Sequence, residues 1–164
     1  MESRFKVLGH AAHPILIVFP LGLLATSVIF DVLCAATHNP QFPVASYWMI
    51  AAGIIGGLVA AVPGFVDWLA IPKDTRAKRI GLYHAIGNDI VLVLFAISWW
   101  LRRGTPEHDP DTLAFALSVI GVVIALFTGW LGGELIERHG MGVHDGAHLD
   151  APSSLSGRRA SEKD

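Results

Sequence analysis

Four stretches of the chain, residues 14–36, 47–71, 80–101 and 112–136, contain no lysine or arginine and are apolar almost throughout. Each carries a single acid, Asp31, Asp67, Asp89 and Glu134 respectively. A helix needs about 20 apolar residues to cross a bilayer, because every backbone N–H and C=O must find its partner inside the segment. All four stretches meet that length, so the pattern predicts four transmembrane helices. The connections, 37–46, 72–79 and 102–111, hold helix-ending residues such as Asn39-Pro40, Pro43, Pro72, Gly104, Pro106 and Pro110. Links this short set neighbouring helices antiparallel. The expected fold is all-α, an up-down-up-down four-helix bundle over residues 1–139, followed by a polar, disordered tail over 140–164.

Ten of the 12 basic residues fall on the side that holds both termini; only Arg102 and Arg103 fall on the other. This bias places both termini in the cytoplasm and the bundle in the bacterial inner membrane. The run after Pro14 is longer than the apolar region of a typical cleaved signal peptide, and Asp31 interrupts the place where a small-residue cleavage site would be sought. Composition agrees: 52% of the 164 residues are hydrophobic, 16% are charged, and mean hydropathy is +0.51. A net charge of −2 gives no footing for nucleic acid. With only Cys34, the chain can build neither a disulfide framework nor a cysteine-based zinc or iron–sulfur site of its own.

Gly53/Gly57 and Gly129/Gly133 are small-xxx-small pairs that let helices approach closely, with Gly56 and Gly132 on the same faces. Pro20 and Pro63 lie inside spans and are expected to kink them. Tyr47-Trp48 and Trp99-Trp100 read as interfacial anchors. No long-period repeat is evident along the chain.

Polar residues return to one depth. His13 opens span one, Asp67 closes span two, His84, Asn88 and Asp89 lie early in span three, and Glu134 ends span four. In an antiparallel bundle all four helices thus bring a polar group to the cytoplasmic-side layer, with His10, His139 and His144 close outside. Ionisable residues inside spans usually face the bundle interior and mark function. Asp31, isolated near the other face, reads as a solvated or capping acid, and His38 and His108 belong to loops on that face. Spans one and three can stand diagonally, so His13 and His84 could be axial ligands of a b-type haem, with Asn88 supporting His84 and His139 or His10 able to replace His13. Lys73, Arg76, Lys78 and Arg79 would meet the propionates. The alternatives are a non-haem zinc or iron site built from His13, Asp67, His84 and Glu134, and a cofactor-free structural subunit that binds a partner in the lipid bilayer. No nucleophile motif supports hydrolysis, and the one-sided crowding of ionisable groups disfavours a proton path.

His13-Pro14 with Pro20-Leu21-Gly22, the run Pro63-Gly64-Phe65-Val66-Asp67-Trp68, His84 with Asn88, and Gly129-Trp130-Leu131-Gly132-Gly133-Glu134 followed by His139-Gly140-Met141-Gly142-Val143 together resemble the DUF2231 family of small prokaryotic membrane proteins. The resemblance covers His10 to Val143. Because some members are joined to Rieske-type iron–sulfur domains, it implies electron transfer in those relatives and, here, a separate iron–sulfur protein as a redox partner. A second copy of the chain is the other candidate partner. The resemblance assigns positions to His13, Asp67, His84, Asn88, Glu134 and His139 but no roles.

Overall fold

The computed structural model describes residues 1–163. A short antiparallel pairing of β1 (Lys6–Val7) with β2 (His10–Ala11) leads into a one-turn helix α1 (Ala12–Leu16). Four long helices follow: α2 (Val18–Thr37), α3 (Gln41–Ala70), α4 (Arg76–Leu101) and α5 (Thr112–Glu137). The four segments Ala12–Thr37, Gln41–Ala70, Arg76–Gly104 and Pro106–Glu137 are long and apolar enough to cross a membrane.

Two of the helices begin earlier than the apolar runs do. α3 starts at Gln41, whose N–H is accepted by Asn39 Oδ1 at 3.0 Å, and α4 starts at Arg76, capped by Thr75 Oγ1, which accepts from Lys78 N at 3.1 Å. Side-chain oxygens at these positions satisfy backbone donors that the first turn leaves free, so helix extends into polar sequence. Pro20 interrupts the hydrogen-bond ladder of its span without breaking it, for Ile17 keeps right-handed helical dihedrals and bonds to the His13 carbonyl at 3.1 Å. It has no N–H for the Leu16 carbonyl, and that missing bond divides α1 from α2 at Ile17, past which Leu21 N again donates to the Ile17 carbonyl at 3.1 Å. α3 runs on through Pro63.

The bundle is apolar outside and buries polar side chains beside an apolar centre. Only 17–22% of each span's most apolar window is buried, leaving residues such as Phe19, Ile55, Val93, Leu126 and Phe127 exposed. Ser27, Asp31, Ser46, Ser98, Arg102, Ser118 and Thr128 are buried. That inversion suits a solvent of lipid tails, where burying apolar surface gains little and polar groups must pair inside.

Helices pack as two hairpins, α2 on α3 and α4 on α5, and the hairpins repeat each other. His13/His84, Leu24/Phe95, Ser27/Ser98 and Asp31/Arg102 are each 71 positions apart; Gly53/Gly121, Ala60/Thr128 and Gly64/Gly132 are each 68 apart. The contacts repeat too. A Cβ on Gly53 would strike Leu24 at 2.6 Å, and one on Gly121 would strike Phe95 at 2.7 Å. The sequence hides this repeat because the offset changes between helices and the matched residues differ in chemistry. Leu24, Ile50, Val91 and Phe95 form the apolar centre.

The packing corrects three further expectations. Gly53, Gly56 and Gly57 are contact points, against Leu24, Phe19 and Leu92, and Gly132 meets His84, but Gly129 and Gly133 have nothing within 4 Å and face outward. Of the presumed anchors only Trp48 and Trp100 are exposed. Tyr47 is buried, stacked between His108, 3.8 Å away, and Trp99, 5.2 Å away.

Asp31 is the third correction, for it is neither solvated nor a cap. It is buried beside Arg102, and both side chains are wholly enclosed. Arg102 Nη1 donates to Asp31 Oδ1 at 2.8 Å and to Ser46 Oγ at 3.0 Å; Nη2 donates to Asp31 Oδ2 at 2.7 Å and to Ser118 Oγ at 3.1 Å; Nε donates to Ser98 Oγ at 3.2 Å. These five contacts match the five N–H groups of a guanidinium. Arg102 belongs to the bundle interior rather than to the charged loop.

Candidate functional site: a histidine pair on the bundle axis

At the end of the bundle that holds both termini, the repeat places two imidazoles face to edge. The His13 and His84 ring centroids are 6.1 Å apart with planes at 85°. Each ring is held by its own hairpin partner. His13 Nδ1 lies 2.8 Å from the Ala60 carbonyl on α3, and His84 Nδ1 lies 2.8 Å from the Thr128 carbonyl on α5. A carbonyl oxygen only accepts, so in both rings Nδ1 carries the proton and Nε2 of the neutral ring keeps its lone pair. Glycine makes the approach fit: a Cβ on Gly64 would lie 2.8 Å from His13 Nδ1, and one on Gly132 would lie 3.1 Å from His84 Cε1.

The second half adds a polar clamp that the first lacks. Asn88 Nδ2 lies 3.2 Å from His84 Nε2 and donates to the His84 carbonyl at 2.9 Å, while Thr128 Oγ1 donates to Asn88 Oδ1 at 3.0 Å. The repeat-equivalent positions of Asn88 and Thr128 are Ile17 and Ala60, which have no polar side chain.

The other sequence candidates have separate duties. Asp67 receives the N-terminal segment: Oδ2 accepts from Ser3 Oγ at 2.7 Å and Oδ1 from Arg4 N at 2.7 Å. Glu134 lies 3.9 Å from Arg138. His139 holds a buried Nε2 without a hydrogen-bond partner, and His10 Nε2 lies 3.3 Å from Ser154 Oγ. Among the described residues, no three His, Cys, Asp or Glu side chains gather closely enough to hold an ion together. Four-ligand convergence of His13, Asp67, His84 and Glu134 is therefore absent from this arrangement. The polar layer resolves into a histidine pair, an N-terminal clasp and a basic cleft. Sequence reasoning missed the Ala60 and Thr128 carbonyls, which no side-chain pattern encodes, and the serines around Arg102, which looked like ordinary small residues.

The terminal segments close over this end. Met1 N donates to the Gly140 carbonyl at 3.0 Å, Gly142 N donates to the Met1 carbonyl at 2.9 Å, and His144 Nε2 lies 2.9 Å from the Gly9 carbonyl. Glu2 bonds Lys6 and the Asp145 N–H, and these contacts hold its carboxyl below the usual glutamate range. That part of the closure is complete above the ordinary glutamate range and is lost as pH falls through the lowered folded value. Asp67→Asn is expected to free the N-terminal segment and to speed tryptic cleavage at Arg4 and Lys6 by roughly tenfold, since it weakens charge-assisted hydrogen bonds. Unchanged cleavage would show that Asp67 does not hold that segment.

A family model described as predicted membrane protein, DUF2231, matches residues 9–145. No curated protein and no solved structure matches the chain.

Proposed function

The chain belongs to the DUF2231 family of predicted membrane proteins, and from that premise we propose that it binds a b-type haem between His13 and His84 and transfers electrons in the membrane. One observation carries the reading: two imidazoles from different hairpins meet on the bundle axis, each with Nδ1 tied to a backbone carbonyl at 2.8 Å. A ligating histidine commonly donates its second nitrogen in this way, which fixes the tautomer and raises the basicity of the ligating nitrogen. The two rings come from separate hairpins with centroids 6.1 Å apart, so His13 and His84 would be the residues that hold the iron. Two neutral imidazoles are the donor type that a b-type haem takes.

His13 and His84 would hold the iron, and the cofactor would supply one-electron chemistry. Asn88 Nδ2 would have to release His84 Nε2 for that nitrogen to bind the iron. Lys73 and Arg79, with no side-chain partner among the described residues, would supply counter-charge for the propionates. Leu24, Ile50, Val91 and Phe95 separate this site from the Asp31–Arg102 pair, which favours electron transfer over a through-going proton path. Ten of the 12 basic residues lie towards the end with both termini, which supports an inner-membrane location with that end cytoplasmic. A separate iron–sulfur protein at that face would be the redox partner.

A second reading, a single zinc or iron ion held by the same two imidazoles, needs less room than a porphyrin beside Asn88, which would have to release His84 Nε2 in either case. Elemental analysis with a pyridine haemochrome assay on detergent-purified protein separates the two. Haem and iron both near one per chain are expected. Metal at that level without haem would replace the first reading by the second, and neither would overturn both.

A further inference from the structure

Beyond the histidine pair, the bundle carries a basic cleft between the start of α4 and the end of α5. Its volume is ≈ 350 Å³, and Arg76, Glu134, Arg138 and His139 line it. Arg76 is the first residue of α4 and is exposed, with no side-chain partner among the described residues. Arg138 follows the last turn of α5 and is 76% exposed, with only the Glu134 carboxylate at 3.9 Å beside it. The Nε2 atom of His139 is buried without a hydrogen-bond partner.

We propose that this cleft binds the phosphodiester of an anionic phospholipid from the leaflet at the terminal end of the bundle. Three features converge on that ligand. Both arginines stand where apolar helices end, the depth at which lipid phosphates lie. Two guanidiniums against one carboxylate leave one net positive charge, which complements a phosphodiester monoanion. A guanidinium can also give a phosphate two parallel N–H bonds. Basic pockets between membrane helices on the cytoplasmic side are known to take anionic headgroups. The inference stands apart from the haem reading, because it uses neither His13 nor His84.

The test is back-titration of delipidated full-length protein, followed by native mass spectrometry. Phosphatidylglycerol is expected to be retained at near one per chain and more tightly than phosphatidylcholine, whose choline brings a cation towards the arginines. Arg76→Gln with Arg138→Gln should weaken that retention by roughly tenfold, the loss of about 1.4 kcal/mol. The control pair Arg159→Gln with Lys163→Gln, which removes the same charge from the tail, should leave it unchanged. Equal losses in both pairs would reduce the effect to net charge and overturn the site. Displacement of the lipid by inorganic phosphate at comparable concentration would assign the cleft to a free anion instead. Retention unchanged in the Arg76/Arg138 variant would also overturn the site, and a thermal midpoint equal to the parent's would certify that the variant is folded.

Discussion

Replacing Arg102 by Met is expected to destabilise the detergent-solubilised protein by ~3–5 kcal/mol, because it leaves the Asp31 carboxylate buried with no counter-charge. Both side chains are fully enclosed, and the guanidinium also donates to Ser46, Ser98 and Ser118, so the substitution strips donors from four acceptors at once. Taking both charges away is a different case. Desolvating an ion pair costs several kcal/mol per ion, so a well-packed apolar pair in its place can come close to neutral. The double variant Asp31→Leu with Arg102→Met should therefore recover most of the loss. Thermal melts of the parent, the single and the double variants check this. A single variant that melts with the parent would show that water or a headgroup reaches Asp31, contrary to its burial.

The histidine pair gives the second large effect. His13→Ala with His84→Ala is expected to abolish haem binding, and each single substitution should remove the low-spin spectrum of a two-imidazole haem. Glycine substitutions make the test finer because they leave both donors in place. An added methyl at Gly64 would sit 2.8 Å from His13 Nδ1, well inside normal contact, whereas one at Gly132 would sit 3.1 Å from His84 Cε1. Gly64→Ala should thus displace its imidazole and lower haem retention more than Gly132→Ala does. Stoichiometric haem in the double histidine variant would remove both residues as ligands, and equal behaviour of the two glycine variants would argue against the ring positions.

The four spans could be read from sequence because a bilayer demands a long apolar run without lysine or arginine, and composition alone records that demand. The polar layer was legible only as a depth. Depth follows from rise per residue, but convergence follows from helix rotation, which inner-face packing sets. His13, His84 and Asn88 share that inner face, whereas Asp67 turned to the N-terminal segment and Glu134 towards Arg138. Asp31 was misread because its partner is 71 positions away and sat beside Arg103 in what looked like an ordinary basic loop. Arg102 directly follows α4, which ends at Leu101 as the apolar run does, and the rotation of the helix at that point turns its side chain inward, which hydropathy does not record. The repeat was hidden for a related reason. Its matched residues are partners across an axis, and partners such as Asp31 and Arg102 are selected to complement each other rather than to match.

The central claim is that His13 and His84 form a cofactor site, and its most direct test is a visible spectrum of the detergent-purified full-length protein, expressed with ample haem supply, before and after dithionite. A near-stoichiometric haem with a Soret band that shifts and a sharp α-band that appears on reduction is the predicted result. A colourless protein under those conditions would contradict it.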